Sequence, residues 1–313
     1  MANVRITDLP SISIANPTDV LPIVDSNHFS GTSTTAQISV SALANSMYSF
    51  GSVTNTASSN YSAVGGGYGN SATNQYAVVA GGSSNTVTGI YANIAGGYAN
   101  CAIGNNSNVA GGFANCATGN CSVVGGGYTN CAIDTATFVG GGYNNTASGC
   151  YAAVVGGFRN TASVCYSVIL GGCGNSASAC YAGIVSGQNN NVATYLSFIG
   201  GGVGNTITGG AFTSIVGGTG NHIASGDTSA ILGGSNNIIN QSNVFVIGSN
   251  INASAANTTY VNNLSTNGIV NTNTLQIASL SATTGNPSGS VVAKMPIYNA
   301  GGTFIGWIPV YNG

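Results

Sequence analysis

The sequence predicts an all-β fold, a parallel β-roll or β-helix solenoid of short coils, with a small segment at each end. Three observations predict it. An asparagine recurs every 15 residues, at Asn55, Asn70, Asn85, Asn100, Asn115, Asn130, Asn145, Asn160, Asn175, Asn190 and Asn205. Asn221 and Asn237 continue the series at 16, and Asn250 closes it at 13. A period this short marks a coil that buries its core only by stacking on its neighbours. Apolar residues recur at two fixed offsets from each asparagine. Proline is absent from residues 51–250, as a parallel ladder that uses every interior N–H requires.

Composition supports a packed structure and excludes several functions. Charged residues make up 3% of the 313-residue chain, and glutamate is absent. The bases are Arg5, Arg159 and Lys294; the acids are Asp8, Asp19, Asp25, Asp134 and Asp227. Nucleic acid needs basic side chains against its phosphates, and an anionic membrane surface needs them too, so neither partner is expected. Abundant Gly, Ser, Thr, Asn and Ala would suit disorder, which goes with few apolar residues and high net charge. Here 43% of residues are hydrophobic and the net charge is −2. Met1–Arg5 lack the apolar stretch of a secretory signal, and no apolar run has transmembrane length. The expectation is synthesis in a cytoplasm without a signal peptide, no membrane insertion and no cofactor.

Residues 1–50 read as an attachment or oligomerisation segment. They hold Pro10, Pro17 and Pro22, three of the six prolines. Ile6–Pro10 suits a short extended piece, Thr18–Asp25 a turn followed by a strand, and Asn27–Thr34 a loop. Thr35–Val40 alternates as a strand, and Ser41–Met47 suits a short helix capped by Ser41. So small a segment has too little core to fold alone, which points to docking on a partner.

Residues 51–250 are the solenoid. Two positions after each asparagine stand Ala57, Ala72, Val87, Ala102 and their successors to Ile207. Nine positions after stand Val64, Val79, Ile94, Val109 and theirs to Ile199. These are the inward rows of a flattened coil with two strands. The recurring pair Gly66-Gly67, Gly81-Gly82, Gly96-Gly97 offers the positive φ that a corner needs. The asparagine closes that corner and stacks on its copies, so that a continuous ladder satisfies a buried amide.

Strand alternation turns another row outward: Gly65, Ala80, Ala95, Ala110, Gly125, Gly140, Val155, Leu170, Val185 and Gly200. Two residues earlier stand Ala63, Val78, Val123, Phe138, Ala153, Val168 and Phe198, with Asn93, Asn108 and Gly183 among them. An apolar face this long is not left in water, so it is the expected subunit interface. Two aromatic columns complete the surface. One holds Tyr61, Tyr76, Tyr91, Tyr151, Tyr166 and Tyr181; the other holds Tyr68, Tyr98, Phe113, Tyr128, Tyr143 and Phe158. Such columns stack ring on ring over coil corners, or serve as a strip for neutral glycans.

The eight cysteines follow the repeat. Cys101, Cys116 and Cys131 each follow an asparagine; Cys150, Cys165 and Cys180 share a second position; Cys121 and Cys173 stand singly. Equivalent positions lie ~4.8 Å apart. Small buried thiols alternating with Ser, Thr and Ala, stacked disulfides and a metal ladder all meet that spacing. The dihedral demand of a disulfide and the lack of Cys-x-x-Cys or a nearby histidine favour free thiols and no metal.

Beyond Gly202 the period loosens, and Phe245–Gly248 reads as the last apolar strand. Residues 251–286 suit an intertwined stalk and linker. Residues 287–313 hold Val291–Tyr298 and Thr303–Tyr311 around an Asn299–Gly302 turn, a hairpin tip. Tyr298, Phe304, Trp307 and Tyr311 are its candidate receptor contacts.

The repeat Asn-[Thr/Ser/Cys]-Ala…Val-x-Gly-Gly resembles the left-handed parallel β-roll heads of trimeric autotransporter adhesins, a roll that also occurs in phage tail fibres. The head motif of that family centres on Ser-Val-Ala-Ile-Gly; Tyr151–Gly156 and Tyr166–Gly171 take its place here. At the flanks, Ile6–Pro10, Asp19–Asp25 and Thr35–Leu43 look like the amino-terminal segments of phage virion fibre proteins. Pro296–Tyr298 and Gly306–Tyr311 look like their small terminal tips. The resemblance implies a left-handed homotrimer.

The functional expectation is therefore a structural virion fibre. Residues 1–50 bind other virion or tail proteins, the roll is a rigid spacer, and a host-surface glycan or protein receptor is contacted at the far end. The alternative is an extracellular adhesin filament whose amino-terminal segment docks on the tip of the next unit. An enzyme is not expected. Glycosidases use paired carboxylates, whereas Asp134 and Asp227 stand about six coils, ~30 Å, apart. His28 and His222 have no nucleophile in register, and Asp134 and Arg159 read as solvated surface positions. A flat threonine lattice for ice is interrupted, since Ile103, Ile133 and Ser148 break the column of Thr73, Thr88, Thr118 and Thr208.

Overall fold

A computed structural model describes residues 54–262 in full, together with the backbone of strands Val20–Val24, Thr35–Ser39, Val291–Tyr298 and Phe304–Tyr311. The chain divides into two units, Met1–Asn262 and Asn263–Gly313. The short helix expected at Ser41–Met47 and the stalk and linker expected beyond Asn262 lie outside the described residues.

Residues 54–262 form a parallel β-solenoid of about 14 coils. Nearly every strand is two residues long, and successive strands alternate between two sheets of 14 parallel strands each. One sheet begins at Thr56–Ala57 and ends at Asn252–Ala253; the other runs from Ala63–Val64 to Thr259–Val261. Pairing is in register with the repeat: Val124 lies beside Val109 and Val139, and Ala117 beside Ala102 and Ala132. A third ladder of single bridges runs Tyr68–Ser83–Tyr98–Phe113 and on to Ser235. The coil thus has three sides, not the two expected, and the third is one residue wide.

The core consists of stacked rows. The Val64 to Val246 row and the Ala72 to Ala253 row are buried throughout. A third inward row, absent from the sequence reading, is Ser62, Ala77, Ala92, Ser107, Ser122, Thr137, Ala152 and Ser167. The row continues through Ala182, Ser197, Thr213 and Ser229 and ends in Val244, so it is filled by small side chains except at its last coil. The core widens along the rod. Small residues such as Ala102 and Ala117 give way to Ile207, Ile223 and Ile239, which face Ile215 and Ile231. The asparagine spacing there has lengthened to 16 residues, so longer coils enclose larger side chains. Full burial of such a side chain contributes ~1.5–3 kcal/mol.

The asparagines are the fourth inward row, all buried from Asn70 to Asn237. Asn100 shows the pattern. Its Nδ2 donates to the carbonyls of Gly96 and Gly112 (2.9 Å each), and its Oδ1 accepts the N–H of Asn115 at 2.9 Å. The ladder is therefore tied mainly through backbone, with direct amide–amide bonds only at some rungs, such as Asn100 to Asn85. Asn100 thereby satisfies the Gly96 carbonyl and the Asn115 N–H, and shares the Gly112 carbonyl with the N–H of Tyr98.

The carboxy-terminal boundary lies later than the spacing suggests. Asn237 Oδ1 accepts the N–H of Ile251, so Ile251 and not Asn250 holds the next anchor position. Asn250 occupies the left-handed corner just before it, with φ 58°. Thr259–Val261 still pairs with Phe245–Ile247. Residues 251–261 are thus coil rather than stalk, and Phe245–Gly248 is not the last strand.

The four strands outside the solenoid form two antiparallel pairs, Val20–Val24 with Thr35–Ser39 and Val291–Tyr298 with Phe304–Tyr311. In the second, Trp307 lies opposite Pro296, Phe304 opposite Tyr298, and Tyr311 opposite Val291. The side chains of these four contact candidates lie outside the described residues.

Candidate functional site

The outward face of the sheet containing Val64 carries a continuous strip of exposed apolar side chains. On eight neighbouring strands stand Phe138, Val155, Leu170, Val185, Phe198, Val216, Leu232, Phe245 and Ile247, each more than a third exposed. Leu170 is 49% and Val216 56% exposed. At ~4.8 Å per strand and ~10 Å across two ranks, the strip covers on the order of 340 Å². Glycines flatten it: a Cβ on Gly140 would crowd the Phe138 ring, and one on Gly183 the Phe198 ring. Nearer the amino terminus the same face is mostly small or polar, with Gly65, Ala80, Ala95, Ala110, Gly125, Asn93 and Asn108, and its valines Val78 and Val123 are half-buried. The expected row thus points outward throughout, but its bulk lies beyond Phe138. Asn93 leaves its buried Oδ1 without a hydrogen-bond partner.

The opposite sheet has a different outward face, which the sequence reading only half identified. Thr56, Ser71, Thr86, Cys101, Cys116, Cys131, Thr146, Thr161 and Ser176 form one rank, and the Thr73–Thr88 column forms the second. Ile103 and Ile133, each 46% exposed, interrupt the second rank.

The aromatic columns occupy the corners and the third ladder. Tyr61, Tyr76 and Tyr91 stack at 4.9 and 4.5 Å, and Tyr151, Tyr166 and Tyr181 at 5.2 and 4.9 Å, all within 7° of parallel. Tyr98, Phe113, Tyr128, Tyr143 and Phe158 stack at 4.6–5.2 Å. Each tyrosine of the first column sits at φ 57–61°, in the left-handed region. Stacking covers the ring faces. Tyr76, between two rings, is 38% exposed, and Tyr91, at the end of its stack, is 58% exposed. A sugar would find ring edges along these columns and open faces only at their ends.

The few charges are used locally. Asp134 Oδ1 accepts the N–H of Thr135 at 2.6 Å and its Oδ2 accepts the Cys150 thiol at 3.1 Å. Those bonds, the Thr135 N–H foremost, hold the Asp134 carboxyl below the usual range. The carboxylate in turn pushes the Cys150 thiol up to about 11. Asp227 accepts the N–H of Ala211 at 2.7 Å, and the Arg159 guanidinium lies 4.9 Å from the Phe158 ring centroid. Asp134 and Asp227 thus brace corners and Arg159 lies beside a stack. Arg159 and Asp227 are exposed and Asp134 is half-buried, so the surface positions expected for Asp134 and Arg159 also carry local contacts. His222 Nε2 lies 2.8 Å from Thr208 Oγ1.

All eight cysteines are free thiols, but not the buried ones expected: Cys121 is exposed and the other seven are half-buried, because their columns face outward or stand at a corner. Cys101, Cys116 and Cys131 are direct partners in one parallel ladder; Cys150, Cys165 and Cys180 stand at a corner, outside the strands. Among the described residues no group of three or more His, Cys, Asp or Glu is placed to hold a metal ion, and no helix is long and apolar enough to cross a membrane. No protein-family model matches the chain, and no curated protein is significantly similar to it.

Proposed function

We propose that the protein is a structural fibre subunit of a virus particle, similar to a phage tail fibre, in which three chains associate along the solenoid. The observation that carries this reading is the exposed apolar strip from Phe138 to Ile247 on a surface almost without charge. A strip of this area is as large as the largest apolar patch of many monomers, a patch that commonly serves as a contact surface. The small outward residues that continue it toward the amino terminus let a sister chain approach closely. The 15-residue repeat and its resemblance to left-handed trimeric rolls support three-fold association and the left-handed coil.

In this reading the roll is a rigid spacer. Two continuous parallel sheets, a buried amide ladder and stacked rings resist bending along the whole described length. Residues 1–50 join the fibre to other particle proteins, and the hairpin bearing Tyr298, Phe304, Trp307 and Tyr311 meets a host-surface glycan or protein receptor. The role is mechanical, not catalytic: Asp134 and Asp227, the carboxylates of the described residues, are both committed to backbone N–H groups.

Electron microscopy of the purified full-length protein tests the reading. Discrete rods of uniform length support it. Open filaments that lengthen with concentration support the self-polymerising adhesin instead, and single-chain rods overturn both.

A further inference from the structure

The thiol ladder supports a site of covalent modification that does not depend on the fibre reading. Cys101, Cys116 and Cys131 are consecutive in-register partners on the outward side of one sheet, and all three are half-buried. Adjacent parallel strands put Cα atoms ~4.8 Å apart, within the disulfide range, whereas the ~9.6 Å from Cys101 to Cys131 lies beyond it. An outward side chain can also rotate out of the parallel alignment that a packed core row would enforce. We propose that Cys101 and Cys116 form a reactive dithiol, in which Cys101 attacks a low-molecular-weight disulfide and Cys116 resolves the product into a disulfide between neighbouring coils.

The step balances. The Cys101 thiolate attacks one sulfur of the small disulfide; that S–S bond breaks, a mixed disulfide forms on Cys101, and one small thiolate leaves. Cys116 gives its proton to that thiolate and attacks the Cys101 sulfur, expelling the second small thiolate, which takes from solvent the proton that Cys101 released on ionising. The two protein sulfurs lose two electrons and the small disulfide gains them.

The surroundings assign the roles. Cys116 stands between the other two thiols and is the one cysteine that either can reach. The neighbouring Cys116 thiol lowers Cys101 to about 7, whereas burial raises Cys131. Cys150 is the contrasting case, because the Asp134 carboxylate holds its proton to about 11. Thiolate fraction, offset by the lower nucleophilicity of a more acidic thiol, gives Cys101 about a hundredfold advantage over Cys150 near pH 7. Cys131 has Thr146 as its next neighbour, so it stays reduced once Cys116 is taken.

The test treats the full-length protein with excess glutathione disulfide, quenches with acid, and maps non-reduced peptic peptides by mass spectrometry. The expected product is a Cys101–Cys116 link within one chain, with Cys131 free. Cys116→Ser should stop at a glutathione adduct on Cys101, and Cys131→Ser should still give the link. Serine already stands in this column at Ser71 and Ser176, so these variants fold. A persistent adduct on wild-type Cys101, equal yields of Cys101–Cys116 and Cys116–Cys131 links, links between chains, or indifferent reaction of all eight cysteines would each overturn the proposal.

Discussion

Gly96 and Gly97 are adjacent and alike in sequence, yet only one needs to be glycine. Gly97 has φ 91°, and a Cβ there would meet the Gly112 carbonyl and the Asn100 amide; around Gly96 there is open space. In a later coil Ser186 takes the first position and Gly187 keeps the second, at φ 100°. Gly97→Ala is expected to cost about 2–4 kcal/mol through backbone strain and overpacking, and Gly96→Ala almost nothing, as read by urea denaturation. A related position lies just before each asparagine, where Ala99, Ala114, Thr129 and Arg159 hold φ of 51–56°. Gly69 and Gly174 occupy the same column, so Ala114→Gly should stabilise by ~0.5–1 kcal/mol and raise the melting temperature. The asparagine row and the two apolar rows were legible in the sequence because each repeats one side-chain chemistry. The left-handed column was not, since it asks only for a backbone conformation and accepts Ser, Ala, Thr, Asn, Arg and Gly. The inward row at Ser107 and Ser122 was hidden because hydroxyls at a tight corner read as surface.

At the scale of the coil, the amide ladder couples neighbours more strongly than any single apolar contact. Asn115→Ala would orphan the N–H of Asn130 and the carbonyl of Gly111, while the Gly127 carbonyl would keep the N–H of Phe113. Leaving two such groups unpaired costs ~1–3 kcal/mol each, so the expected loss is at least about 2 kcal/mol. Hydrogen exchange should quicken first at Asn130 and its neighbouring coils. Ring stacking is a smaller term, ~0.5–1.5 kcal/mol per pair, and helps to offset the left-handed conformation of Tyr76 and Tyr166. The coil boundaries were legible wherever spacing was constant. They failed at the end because Asn250 is the right residue at a neighbouring position, and only the bond from the Ile251 N–H to Asn237 assigns the register.

For the whole molecule, charge and apolar area decide the account. With 3% charged residues, neither long-range repulsion nor ion pairing governs association, so the assembly should keep its mass from low to high salt. The two outward faces differ in kind: Phe138, Leu170, Val216 and Leu232 crowd one, and Thr, Ser and Cys line the other. The sequence disclosed the first face by alternation, but not the change in bulk along it. That change depends on which coils hold Gly and which hold Phe, and a repeat average erases it. Replacing Leu170 and Val216 together by Asp should separate the chains while leaving the β circular-dichroism signal intact. Thr161→Asp, on the other face, should leave them together. Sedimentation equilibrium of the full-length protein is the most direct test. The account predicts a single species of three times the chain mass, unchanged on dilution and in high salt; a stable monomer with the strip open to water would contradict it.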